Sequence, residues 1–371
     1  MGRMAQEEQR AGRTSTEQPT SHIADEHPKA PTYPKRIKLA LQGGGSHGAF
    51  TWGVIDRLLE HGGFEVEAVV GTSAGAVNAA VLAYGLVTGG ADGGRERLSD
   101  FWHRAAAAAA GRFGPLQPTP LDRLFSLGNM NFSPLWYLHD LLSKIFSPYE
   151  INPANLNPLR NLLPDVIDFD RLHASRNGPE LFVCATNVLN GRLRVFHRPE
   201  ITVDSIMASA TLPYMFQAVE IGGQYYWDGG YCGNPPIFPL IYMGGGRDIL
   251  IVQINPINIM KVPKTARAIL DHAATLSFNS SLMREMRVIK FIQDLIDCGD
   301  LDGAKYMRTL IHTIDAEKEL AAFDVSSKFN VDLGFLLHLF ALGRAKADTF
   351  IEAHYDDIGL RSSTDISKKF L

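Results

Sequence analysis

Two glycine-rich turns constrain the fold of this chain more than any other feature. The first, GGGSHG at residues 43–48, follows Ile37, Leu39 and Leu41, which alternate with Lys38, Ala40 and Gln42 as a strand does. Beyond it Phe50, Val54, Ile55 and Leu58 recur at helical spacing, and Gly62-Gly63 ends that helix. The second turn, GTSAG at residues 71–75, joins the strand-like FEVEAVV of 64–70 to an Ala- and Val-rich helix over 76–87. That helix is apolar all round and hence buried. Two successive strand–turn–helix units predict an α/β fold with a mostly parallel sheet and crossover helices.

The remaining organisation is coarser. Residues 1–35 are rich in Gln, Glu, Thr, Ser and Pro and cannot bury enough apolar surface to offset the entropy of ordering, which predicts a disordered tail. TGGADGG at 88–94 reads as a flexible break, 95–110 as a helix, and the Pro- and Asn-rich 111–180 as part of an insertion or cap counted from residue 88. Strands are expected at 181–187, 192–197, 216–221, 248–254 and near 308–314, with Asn190-Gly191 as a hairpin turn between the first two. Helices are expected at 203–209, 263–297 and 333–354. The length of 371 residues allows two or three domains. A single site drawing on positions 43 to 230 favours one domain over 36–371, with 256–371 as its mostly helical end.

Composition excludes several function classes. The formal net charge is −4 with no basic stripe, so nucleic acid is not expected as a partner. Cys184, Cys232 and Cys298 are odd in number, far apart and outside any CxxC spacing, which argues against a disulfide framework or a zinc site and for a reducing compartment. There is no run of 18 apolar residues and no apolar leader segment, so a cytoplasmic chain, peripheral to membrane at most, is expected, with export by a route that reads no such leader left open.

GTSAG fits the G-x-S-x-G elbow, which holds a serine hydroxyl at a sharp strand-to-helix turn. Ser73 is then the candidate nucleophile, and the small Gly71, Ala74 and Gly75 beside Thr72 relieve crowding at the turn; the plainer alternative is Ser73 as a helix cap. In GGGSHG the glycines let backbone N–H groups turn inward at a helix start, where they bind anions. For acyl transfer that anion is the tetrahedral oxyanion, with donors from Gly43, Gly44, Gly45, Ser46, His47 and Gly48. Gly43, Gly45 and Gly48 also fit a dinucleotide fingerprint, but its acidic partner would have to be Glu60 or Glu65, both poorly placed; no Lys-Ser/Thr follows for a nucleotide phosphate loop. A hydroxyl nucleophile needs a base. Asp228, followed by Gly229 and Gly230 and preceded by Tyr225, Tyr226 and Trp227, can be tuned upward by desolvation. An ordinary Asp-Gly turn is the simpler reading of that segment.

Taken together, strand–GGGxxG, GTSAG, ASATLP at 208–213 and DGGYCGNPP at 228–236 resemble the patatin-like phospholipase family of serine acyl hydrolases. The resemblance covers roughly residues 36–255. It implies a three-layer α/β/α sandwich and a Ser73–Asp228 dyad without histidine. It also implies an oxyanion hole drawn most directly from Gly44 and Gly45. No metal or cofactor is implied. One position departs from the family: His47 stands where Arg or Lys is common. A neutral histidine supplies no fixed charge near pH 7, which leaves the holder of a lipid phosphate open and tilts the reading toward uncharged esters. His47 could instead serve as the base. A Ser-Asp-His triad would need His272, His312, His338 or His354, none in a Gly-flanked loop.

In FSPLWYLHDLLSKIF at 132–146, Leu135, Leu138, Leu142 and Ile145 recur at helical spacing beside Trp136 and Tyr137. This is either a cap helix packed on the core or a peripheral lipid-contact surface. The expected function is a phospholipase A-like lipid acyl hydrolase working through an acyl-Ser73 intermediate. The substrate would be a phospholipid or other acyl-ester lipid. A neutral-lipid esterase, an acyltransferase and a non-catalytic lipid-binding scaffold are the alternatives. Nothing in the sequence fixes the oligomeric state.

Overall fold

The computed structural model describes residues 33–110, 117–259, 262–303 and 305–371. The tail expected over 1–35 lies outside them up to residue 32, as does the stretch 111–116 of the expected insertion.

Strand β1 (Lys35–Leu41), helix α1 (Gly48–His61), strand β2 (Phe64–Thr72) and helix α2 (Ala74–Ala110) open the fold. Gly62 ends α1 in the left-handed conformation (φ 70°) with its N–H on Leu59 O. An insertion of short helices follows: α3 (Pro120–Phe125), α4 (Pro134–Ile145), α5 (Pro148–Ile151), α6 (Pro158–Val166) and α7 (Phe169–Ala174). The chain then returns to the sheet with β3 (Glu180–Asn187) and β4 (Leu193–His197), passes through α8 (Val203–Ser209), and adds β5 (Val219–Ile221) and β6 (Gln224–Asp228). Helix α9 (Phe238–Tyr242), β7 (Asp248–Gln253), α10 (Ala266–Asp297), β8 (Leu310–Asp315), α11 (Glu317–Leu320), α12 (Leu333–His354) and α13 (Ile366–Phe370) complete it.

The eight strands pair along the path β5-β6-β3-β2-β1-β7-β8, with β4 also on β3. The ladders from β3 to β8 are parallel, and those of β4, β5 and β6 are antiparallel. Alternation within single strands feeds two cores. Leu39 and Leu41 face the layer of α1, α2 and α12, while Ala40 faces that of α9, α10 and α13. Strands buried on both faces read as continuous apolar runs, as in Ala68–Val70 of β2 and Ile249–Val252 of β7. The result is a three-layer α/β/α sandwich.

Two expectations change. The break at 88–94 shrinks to Gly89 and Gly90, the two non-helical residues inside α2 (φ −151° and 62°). Past this kink Leu98, Phe101, Trp102 and Ala106 are buried in the main core, so the helix packs onto the sheet layer well beyond the expected break. Helix α2 is also long and apolar enough to cross a membrane by length and composition, although no uninterrupted apolar run announced it. With 67% of its most apolar stretch buried inside the protein, it is a core helix.

Candidate active site

Parallel register brings the two glycine-rich turns together. Leu41 pairs with Gly71, so β1 and β2 end level and both turns leave the same end of the sheet. Strand pairing also delivers Asp228. β4 covers one edge of β3 along Phe182–Thr186, which leaves the other edge to β2 up to Cys184 and to β6 from Ala185 onward. β2 and β6 therefore meet end to end on one edge of β3. Thr72 faces Cys184 and Asp228 faces Ala185, which sets Ser73 against Asp228.

Ser73 has φ 57°, a conformation that a side chain disfavours and that surrounding contacts must hold. Ser209 Oγ accepts the Ser73 N–H at 3.0 Å and donates to Cys184 O at 2.6 Å. Thr72 Oγ1 donates to Gly233 O at 2.8 Å, and Ala74 opens α2 directly behind the turn. A Cβ on Gly75 would lie 2.2 Å from Leu41 O, so the elbow rests on β1 at a distance only glycine permits. ASATLP thereby acquires a job: its Ser209 holds the Ser73 amide, and its Thr211 O accepts the Asp228 N–H at 2.8 Å.

Asp228 is fully buried. Burial pushes its carboxyl up to about 6, against the opposing pull of the Ser73 hydroxyl, the Gly230 N–H and the Lys328 charge. Oδ1 accepts the Gly230 N–H at 2.7 Å, in the turn Gly229–Tyr231. The Ser73 hydroxyl is near enough to favour the ionised form, yet Oδ2 has no partner at full hydrogen-bond geometry. One carboxylate oxygen is thus anchored, and the other is buried without a partner.

The first turn divides its amides. Gly43 N–H is committed to Asn234 Oδ1 at 2.6 Å, His47 N–H to Gly44 O at 3.3 Å, and Gly48 N–H to Gly45 and Ser46 carbonyls. Gly44 and Gly45 precede and open the 3-10 turn Gly45–His47, and their N–H groups have no acceptor among the described residues. The Ser46 N–H likewise has none, so the turn presents uncommitted amides at its start. Gly43 touches the serine itself: a Cβ there would sit 2.5 Å from Ser73 Cβ.

His47 is buried between Phe323 and Phe335, and its Nε2 pairs with Ser327 Oγ at 2.8 Å. Burial, aided by the Lys328 charge, pushes it down to about 3, so it is neutral and tied to the C-terminal half. The other histidines are employed elsewhere. His312 bridges Asp248 Oδ1 at 3.1 Å and Ser363 Oγ at 2.9 Å, and His354 pairs with Asp357 at 2.9 Å. His338 is exposed on α12, and His272 sits on α10 with no hydrogen bond to Ser73 or Asp228 among the described residues.

Several supporting residues escaped the sequence reading. Gln42 Oε1 accepts the Ile254 and Asn255 N–H groups, each at 2.9 Å. Asn255 Nδ2 donates to Gly43 O at 2.7 Å, and Lys328 Nζ donates to Asn255 Oδ1 at 2.8 Å. Asn234 lies in the DGGYCGNPP segment and could have been suspected. Nothing in sequence marked Asn255 or Lys328.

A family model described as patatin-like phospholipase matches residues 39–241. No curated protein matches the chain. Among solved structures, VipD from Legionella pneumophila is similar over 84% of this chain and 67% of its own, at 16% identity and a TM-score of 0.35. The type III effector protein ExoU is similar over 86% of this chain and 53% of its own, at 16% identity and a TM-score of 0.34. ExoU in its complex with SpcU from Pseudomonas aeruginosa is similar over 66% of this chain and 50% of its own, at 22% identity and a TM-score of 0.30. The chain thus spans about half the length of the ExoU chains.

Proposed function

The chain belongs to the patatin-like phospholipase family, a family of lipid hydrolases, and from that premise we propose that it cleaves carboxylic esters of phospholipids with Ser73 as nucleophile and Asp228 as base. The observation that carries this reading is the end-to-end meeting of β2 and β6, which sets a buried carboxylate with an unpartnered oxygen beside a strained serine. In the proposed reaction Ser73 Oγ attacks the ester carbonyl carbon and its proton passes to Asp228 Oδ2. The carbonyl oxygen becomes the oxyanion, taken by the Gly44 and Gly45 N–H groups. Collapse breaks the C–O bond to the lipid alcohol, which leaves with the proton from Asp228. Water then attacks the acyl-serine, Asp228 accepts its proton, and the fatty acid departs as Ser73 regains its own. These steps use only this chain's residues.

The lipid surface enters through α4. Its Trp136 is buried against Phe329, with ring centroids 5.1 Å apart, while Leu135, Leu138, Leu141 and Ile145 are exposed. Such an uncovered apolar stripe supports peripheral membrane contact over a cap packed on the core. Three free cysteines support a reducing, cytoplasmic setting.

The test is fatty-acid release from phosphatidylcholine vesicles together with labelling by a fluorophosphonate. Wild type is expected to do both, and Ser73→Ala neither. Retained hydrolysis in Ser73→Ala refutes the nucleophile. Absence of both labelling and turnover in wild type moves the protein to the lipid-binding scaffold class.

A further inference from the structure

Lys328 lies in the 3-10 turn Val325–Phe329, far along the chain from either glycine-rich turn, yet it packs against the first of them. Its carbonyl oxygen would stand 2.2 Å from a Cβ on Gly45, which only glycine avoids at φ 59°. The neighbouring Ser327 clasps His47 at 2.8 Å. The ammonium donates to Asn255 Oδ1, an atom 3.7 Å from where a Cβ on Gly44 would be. Asn255 in turn donates to Gly43 O, and Gly43 touches Ser73. The cation is therefore placed beside the Gly43–Gly45 segment, close enough to Asp228 for the two charges to interact.

A lysine that merely ties two segments together commits its ammonium to carbonyl oxygens or a carboxylate. Lys38 does so in this protein, donating to Leu240 O and Gly244 O. Lys328 differs. An ammonium has three donor positions, and Asn255 takes one while no other acceptor is found among the described residues. The charged groups that sense it are Asp228 at the end of β6 and Asp271 on α10, and the neutral His47 is its other titratable neighbour. Burial lowers Lys328 to about 8, so it is mainly cationic at neutral pH.

We propose that Lys328 is the phosphate-binding residue of this site, holding the phosphodiester of a glycerophospholipid while Ser73 attacks the acyl ester. The proposal deepens the hydrolase reading and rests on it for the attack on the ester. It replaces the expectation that His47 tilts the site toward uncharged lipids. The neutral, enclosed His47 positions the turn, and the charge arrives from the C-terminal half.

Because binding need not involve turnover, the deciding experiment uses full-length protein with Ser73→Ala. Dihexanoylphosphatidylcholine, kept below its micelle threshold, is titrated by calorimetry into this protein with Lys328, Lys328→Gln or Lys328→Arg. Loss of one charge-assisted hydrogen-bond donor predicts a Kd about 10- to 100-fold weaker for Lys328→Gln, largely restored by Lys328→Arg. In the Ser73 background the ratio of kcat/KM for this lipid over p-nitrophenyl butyrate falls by a similar factor in Lys328→Gln. Unchanged lipid affinity in a folded Lys328→Gln overturns the proposal, as does an equal loss on both substrates. Inorganic phosphate is the third probe: if its binding is lost in Lys328→Gln while lipid affinity stays, the site serves free phosphate and the proposal fails. A wild type that binds the lipid through Lys328 but hydrolyses neither ester breaks the hydrolase reading and leaves the phosphate site standing.

Discussion

The turn-bearing end of the sheet and the insertion in front of it are built on opposite plans. At the sheet end, backbone approaches are so tight that Gly43, Gly45 and Gly75 tolerate no Cβ, and Ser209, Asn234 and Asn255 fix the backbone through buried hydrogen bonds. In the insertion, helices of a few turns start on Pro behind the cap residues Thr119, Ser133, Ser147 and Asn157, and Leu124 and Leu127 stand 71% and 84% exposed. Oxyanion stabilisation needs donors that do not reorganise during the reaction, which rigid packing supplies. Contact with a lipid surface needs apolar area left uncovered, which rigid packing would remove. On the proposed reading, each demand falls to a different region.

The largest effect expected from breaking this contrast is at Asp228. Asp228→Asn is predicted to lower kcat by about 10³-fold or more on any ester by removing the base. The same change should raise thermal stability. The folded carboxyl titrates near 6 against a reference of 3.8, so the folded state holds the proton more tightly than the unfolded chain does. Ionised Asp228 accordingly costs stability increasingly as pH rises from about 4 through 6, up to about 3 kcal/mol at pH 7. For the wild type, kcat/KM should fall below an acid limb near pH 6. A variant both inactive and less stable at pH 7, by calorimetry, would show that Asp228 is structural.

Next in size is Gly43→Ala. The added Cβ meets Ser73 Cβ at 2.5 Å and must displace the elbow. Misplacing a nucleophile by about 1 Å is worth roughly 10²-fold in kcat, which steady-state kinetics on a soluble ester would show. Near-wild-type turnover there would mean that the sheet end is less rigid than its contacts imply.

The smallest effect belongs to the insertion. Replacing Leu138 and Leu141 by serine removes two exposed apolar side chains, each worth on the order of 1 kcal/mol when partly inserted in lipid. Vesicle affinity by flotation should drop roughly 10- to 30-fold, with a much smaller loss on a soluble ester. Equal losses on both would show that these leucines support the site and do not meet a membrane.

Most of the architecture was legible because short-range rules produce it. Alternation in β1, the fully apolar α2 start and the boundaries of α8 and α12 follow from local pattern. The break at 88–94 misled because glycine was read as flexibility, whereas only Gly89 and Gly90 leave the helix and Leu98, Phe101 and Trp102 draw the chain back into the core. β6 received no strand assignment of its own, because the Asp-Gly-Gly end of YYWDGG drew the reading to a turn, although Tyr225 and Tyr226 pair back on β5 across Gly222-Gly223, the latter also on β3.

By itself the sequence determined the candidate chemistry: a serine at an elbow, a glycine-rich turn able to aim amides, and an aspartate among aromatic residues. These are matters of backbone permissiveness and functional groups, which neighbours in sequence suffice to specify. Only the tertiary structure decided how the parts work as a site. It met β2 with β6 end to end, gave Ser209 and Thr211 to Ser73 and Asp228, enclosed His47 and brought Lys328 to the glycine-rich turn. Burial and charge at a point depend on everything packed around it, and for this site much of that comes from the far end of the chain.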